Sequence, residues 1–167
     1  MPRYIKKITS PMDYDYFKEA IQDLPIQKQA FLSILFFCGC RVSEALALTA
    51  DKFACRKDII YIQFFRLKGS KQTDPQEVPR VDALCWLCES YGKVFPFSYR
   101  TAYRLVKKVF PDRYPHYFRL NRITKILERF GAVTVSNVIG INMNSINAYV
   151  GKIDIKKVGE ALREELS

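Results

Sequence analysis

Apolar residues recur every three or four positions through most of this chain, the spacing of helices that bury one face. That spacing predicts a helix over residues 11–23, with Ser10 or Asp13 near its start. A second helix opens at Pro25, carries QKQAFLSILFFCG and stops near Gly39. VSEALAL, residues 42–48, reads as a short helix. The pattern changes at residues 59–66, IIYIQFFR, which are β-branched and aromatic and predict a strand. KGSKQTDPQ is then a turn, and EVPRV a short returning strand. Helices follow over 81–91, from Ser98 to about residue 110, and from about 116 to 130, with Pro111 and Pro115 as breaks and Gly131 as the stop. Residues 133–139 form a short helix, the polar stretch 142–147 (NMNSIN) reads as a mobile loop, and a last helix covers about 154–165. The expected fold class is mainly α with one small antiparallel β-sheet (α+β).

The length, 167 residues, suits one domain with a real core. Residues 1–10 read as an arm or linker and 11–167 as the domain. With 49% hydrophobic and 26% charged residues, the composition excludes a disordered or low-complexity chain. Charge changes the picture more. Lys and Arg number 27 against 17 Asp and Glu, a net charge of +10. The excess is local: residues 98–129 hold 9 basic and 2 acidic residues, whereas residues 130–167 hold 4 of each. Such a surface suits a polyanion, with nucleic acid the first candidate and an acidic membrane surface the second. The most apolar stretch, residues 31–40, is about half a membrane span, and the basic N-terminus has no apolar run behind it. No membrane association is expected.

Five cysteines, Cys38, Cys40, Cys55, Cys85 and Cys88, form an odd set that reads as reduced thiols of a cytoplasmic protein. The pairs Cys38/Cys40 and Cys85/Cys88 sit inside apolar helical patterns, so they read as small hydrophobes rather than as a metal or redox site. Over residues 99–110, Ala102, Tyr103, Val106 and Phe110 are expected to face the core while Arg100, Arg104 and Lys107 recur on another face. Over residues 117–130, Leu120, Ile123, Leu127 and Phe130 are expected inward and Arg122 and Arg129 outward. Two adjacent, nearly acid-free stripes favour phosphate binding. The single histidine, His116, lies three residues before Arg119, a spacing that puts both on one helical face. Arg41 opens a helix, Lys68 and Lys71 stand on the turn, and Tyr149 follows the polar stretch.

The order of these residues resembles the tyrosine recombinase (phage integrase) family. Arg41-Val42-Ser43-Glu44-Ala45-Leu46 matches its first arginine box, and Lys68-Gly69-Ser70-Lys71 with Val78-Pro79 looks like its β-hairpin. His116-Tyr117-Phe118-Arg119 fits its H-x-x-R, and Gly140 with Ser145-Ile146-Asn147-Ala148-Tyr149-Val150 its last box. The Tyr-Phe-Arg string is also similar to archaeal viral integrases. Ile141, followed by Asn142, stands where the family usually has His or Trp, and Leu120 where many relatives have His.

The resemblance implies the family's catalytic-domain fold without its N-terminal core-binding domain. It also implies a site-specific recombinase that cuts and rejoins DNA through a 3′-phosphotyrosine, with neither metal nor cofactor. Tyr149 would be the nucleophile, His116 the general base, Arg41 and Arg119 the phosphate clamp, and Lys68 the acid at the leaving 5′-oxygen. Glu44, Ile141 and Asn142 would be secondary site residues, and Lys71, Arg100, Arg104, Lys107 and Arg122 would hold DNA. The expected partners are a double-stranded attachment site and further copies of the chain, forming a tetramer through the C-terminal helix, whose apolar edge Ile155, Val158, Leu162 and Leu166 equally suits packing on its own domain. The expected setting is the cytoplasm, at the nucleoid or as a virus-encoded protein in a host. Two alternatives are a recombinase fold that binds DNA without cutting it, and a type IB topoisomerase-like or resolving enzyme.

Overall fold

A computed structural model describes residues 11–66, 72–150 and 155–166, with the backbone alone for 147–150 and 155–158. The described residues begin with four helical segments: α1 (Tyr14–Ile21), α2 (Ile26–Cys38), α3 (Val42–Leu46) and a 3-10 turn at Ala50–Lys52. Three strands follow, β1 (Phe53–Cys55), β2 (Ile59–Ile62) and β3 (Gln76–Pro79), then α4 (Asp82–Cys85) and a second 3-10 turn at Trp86–Glu89. The remainder is helical: α5 (Tyr99–Val109), α6 (Pro115–Phe130), α7 (Ala132–Ile139), α8 (Met143–Val150) and α9 (Ile155–Glu165).

Helix α2 is apolar on every side, so it must be enclosed. Residues from Ala30 through Phe36 and Cys38 are all buried, and the helix packs against α4 and α6. Phe17 of α1 stacks on Phe36 at 4.3 Å and meets Phe110 and the edge of Phe118, which closes α1 and the start of α6 over α2. A second apolar cluster joins Leu120, Ile123 and Ile126 of α6 to Val135 and Ile139 of α7 and Ile146 of α8. Thus α6 belongs to both clusters, its first half in one and its second in the other. The sheet is antiparallel with order β1-β2-β3, and Ile60, paired with Val78, points into the main core.

Caps explain where the helices start. The Asp13 carboxylate accepts the Tyr16 N–H at 2.8 Å, and the Ser98 hydroxyl accepts the Thr101 N–H at 3.1 Å. The expected strand over 59–66 is shorter than its composition suggests, because pairing with β3 ends at Ile62. β1 escapes sequence reading, being three residues beside charged neighbours. The expected helix over 81–91 divides into α4 and a 3-10 turn. The expected loop at 142–147 is instead the start of α8. Asn142 accepts the Ser145 N–H at 2.9 Å through its side chain, and buried Ile146 anchors the helix on α7 while its polar neighbours face solvent. Phe130 and Tyr103, expected inward, are exposed, and Leu105 takes the inward place on α5.

The expectation of five free thiols is corrected. Cys55 and Cys88 are joined, S–S 2.04 Å, tying β1 to the 3-10 turn after α4. Cys85 and Cys88 therefore do not act as a pair. Cys38 and Cys40 are buried, and burial pushes the Cys38 thiol up to about 12 and Cys40 well above its ordinary value. Both behave as unreactive small hydrophobes.

Candidate active site

The site begins at a glycine. Gly39 ends α2 with φ 60°, in the left-handed region, and turns the chain so that Arg41 opens α3. A Cβ at Gly39 would stand 2.7 Å from Cβ of Arg122, because α2 and α6 approach there. The Gly39 carbonyl accepts Nη1 of Arg119 at 2.8 Å. Gly39→Ala is therefore expected to cost about 2–4 kcal/mol, from the left-handed backbone and the clash together. Urea denaturation checks this, and an unchanged midpoint would contradict it.

Glu44 organises the charges. Its Oε1 accepts the Arg41 backbone N–H at 2.7 Å, and it lies 4.0 Å from Nη1 of Arg41 and 3.9 Å from Nη1 of Arg119. Its Oε2 accepts Nη1 of Arg66 at 3.2 Å, with both side chains fully buried. Arg66 also donates through Nε to the Thr73 hydroxyl at 3.1 Å and through Nη2 to the Val138 carbonyl at 3.3 Å, and it lies over the Phe64 ring. Arg119 is almost wholly buried. Burial, then the neighbouring Arg41, brings its pKa down to about 10, with Glu44 opposing, so it stays charged at neutral pH.

His116 stands one turn before Arg119 on α6, facing a cleft of about 210 Å³ lined also by Cys40, Arg41, Val42, Ser43, Tyr99 and Pro115. The residue keeps exposed surface. Burial of the rest, followed by Arg119 and Arg41, lowers its pKa below the ordinary 6.5. The ring is thus neutral at pH 7 and able to accept a proton. An NMR titration of this single histidine is expected to give a midpoint below 6.5; a midpoint at or above it would contradict the described environment.

Arg41 and a neutral imidazole on the wall of one small cleft, with the buried Arg119 charge acting on that imidazole, suit an anion that must be held while a proton is removed beside it. No protein-family model matches the sequence, and no curated protein matches it significantly. Solved structures do match. The XerH site-specific recombinase, in a pre-cleavage complex bound to difH substrate, superposes with a TM-score of 0.66 at 18% identity, over 92% of this chain and 53% of that one. XerA recombinase gives 0.60 at 18% identity, over 95% and 64%. The Tn1549 transposon integrase, in complex with transposon right end DNA, gives 0.56 at 18%, over 93% and 66%.

The chain has the tyrosine recombinase catalytic-domain fold. It spans about half the length of the XerH recombinase it matches. Within this fold, Arg41 and Arg119 both lie near Glu44, and Arg41 shares the cleft wall with His116. Lys68 and Lys71 lie outside the described residues. Tyr149 falls on α8, where only the backbone is described. Ile141 packs against the second apolar cluster, and Asn142 caps α8.

Among the DNA-facing candidates, Arg100, Arg104 and Lys107 are exposed along α5. Arg122 is half-buried, its stem against Gly39 and its Nε enclosed. Sequence reading misses Arg66 and Tyr99. The available signal for Arg66 is an arginine closing an apolar run, a position that needs a buried counter-charge. Tyr99 gives no signal of its own among ten tyrosines.

Proposed function

We propose that this chain is the catalytic part of a site-specific DNA recombinase or integrase that works through a 3′-phosphotyrosine. The observation that carries this reading is the meeting of Arg41, from the start of α3, with His116, from α6, on the wall of one cleft, while buried Arg119 of α6 shares the Glu44 carboxylate with Arg41. Arg41, His116 and Arg119 are three of the five catalytic residues that the sequence resemblance implies, the other two being Lys68 and Tyr149. Tyr149 attacks the phosphorus, His116 takes the phenolic proton, and the bond to the 5′-oxygen breaks. Lys68 protonates that oxygen, leaving a 5′-hydroxyl. Arg41 and Arg119 hold the non-bridging oxygens as charge gathers on them. A 5′-hydroxyl from another strand then reverses the steps and releases the tyrosine. The bond energy is kept in the phosphotyrosine, so the exchange calls for neither nucleotide nor metal.

Arg100, Arg104 and Lys107 supply phosphate contacts along the duplex, and Lys71 and Arg122 add to them. The substrate is a double-stranded attachment site, occupied by a tetramer linked through α9, in the cytoplasm of a cell or of a viral host. The Cys55–Cys88 disulfide is the feature least at home there, since such compartments rarely keep disulfides. Ile141 favours a second reading. Where relatives place a phosphate-directed donor, this chain has an apolar side chain packed into a core, which suits a fold that holds DNA without cutting it. A nicked duplex carrying a candidate site separates the two. Cleavage beside the nick releases the short strand end and traps protein on DNA. Trapping supports the enzyme; salt-sensitive binding without trapping supports the binder.

A further inference from the structure

Glu44 faces three arginines, but not equally. Arg66 meets Oε2 at 3.2 Å from a wholly buried position, whereas Arg41 and Arg119 have their nearest guanidinium nitrogens at 4.0 and 3.9 Å from Oε1. A carboxylate enclosed in the core needs one full counter-charge, and the closest, driest partner supplies most of it. Arg66 cannot drift from that place, since its Nε and Nη2 are held by the Thr73 hydroxyl and the Val138 carbonyl.

We infer that Arg66 is a positioning residue, the dedicated counter-charge of Glu44, which keeps that carboxylate from cancelling the positive charge that Arg41 on the cleft wall and buried Arg119 exert on the cleft. Glu44 can then orient the pair, through the Arg41 N–H and its long approach to Arg119, without neutralising it. Without Arg66 the carboxylate would draw on the same pair, and the cleft would lose close to one charge. The inference rests on the proposed role of Arg41 and Arg119 as phosphate holders, and it adds what keeps them charged.

The test reads the cleft without DNA. The single histidine reports from its wall, where, among the described residues, Arg41 and Arg119 are the charged groups acting on it and Tyr99 shares the wall. His116 resonances are followed against pH and against inorganic phosphate in wild type, Arg66→Met, and the double variant Arg66→Met with Glu44→Gln. Arg66→Met is expected to raise the His116 midpoint and weaken phosphate roughly tenfold. The double variant removes one charge of each sign and is expected to restore both readings to wild type. If Glu44 instead serves the arginine pair directly, the double variant behaves as loss of the carboxylate alone: the midpoint falls below wild type and phosphate binds tighter. That result overturns the inference, as does an Arg66→Met protein that titrates like wild type. Should Arg66→Met not fold, the double variant decides alone, because it buries no unpaired charge. A chain that trapped no DNA would remove the recombinase reading while leaving these titrations to judge Arg66.

Discussion

Arg119→Lys is expected to lower the single-turnover rate of adduct formation by about 10²–10³-fold while DNA affinity stays nearly unchanged. Arg119 serves two partners at once. One arm donates to the Gly39 carbonyl at 2.8 Å, fixing the guanidinium against the end of α2, and the planar fork then presents its other nitrogens in a set direction. Lysine keeps the charge but has one short-range head. It either satisfies Gly39 or reaches the phosphate. Ground-state DNA binding draws mainly on exposed cations such as Arg100, Arg104 and Lys107, so affinity barely moves. Paired measurements of trapping rate and equilibrium binding check this. Equal loss in both would mean that Arg119 binds DNA uniformly rather than holding the transition state.

The second large effect is on stability. Glu44→Ala is expected to cost about 3–5 kcal/mol, because it leaves Arg66 charged, buried and without its carboxylate. Arg66 cannot relax toward water, being enclosed on the Thr73 and Val138 sides as well. The Arg41 N–H loses its acceptor in the same change, which removes the cap of α3. Urea denaturation of wild type and variant measures the difference. A loss below about 1 kcal/mol would mean that water reaches Arg66, against the burial described.

Much of this was legible before any coordinates, for local reasons. Asp13 and Ser98 are side chains that satisfy free N–H groups at helix starts, and Gly39 is a residue that tolerates the left-handed turn, so helix ends could be placed from residue type alone. His116 and Arg119 share a helix, so their spacing already placed them together. What was not legible depends on distant partners. The polar stretch 142–147 is helical because Ile146 finds a pocket against α7, which composition cannot show. Cys55 and Cys88 pair across 33 residues, while the apolar pattern around Cys88 reads it as a free, buried small hydrophobe. Arg66 looked like the end of a strand, and only the arrival of Glu44 beneath it reveals a buried ion pair.

The central claim, that a tyrosine of this chain attacks DNA with Arg41, His116 and Arg119 around the phosphate, is tested most directly by mapping the linked residue. Protein trapped on a nicked duplex in the presence of a chelator is digested with protease and nuclease, and the nucleotide-bearing peptide is identified by mass spectrometry. The account predicts one modified peptide, carrying the nucleotide on Tyr149, and no such peptide from Tyr149→Phe. A nucleotide on Tyr99, which lines the cleft, or no covalent peptide beside intact DNA binding, would contradict it.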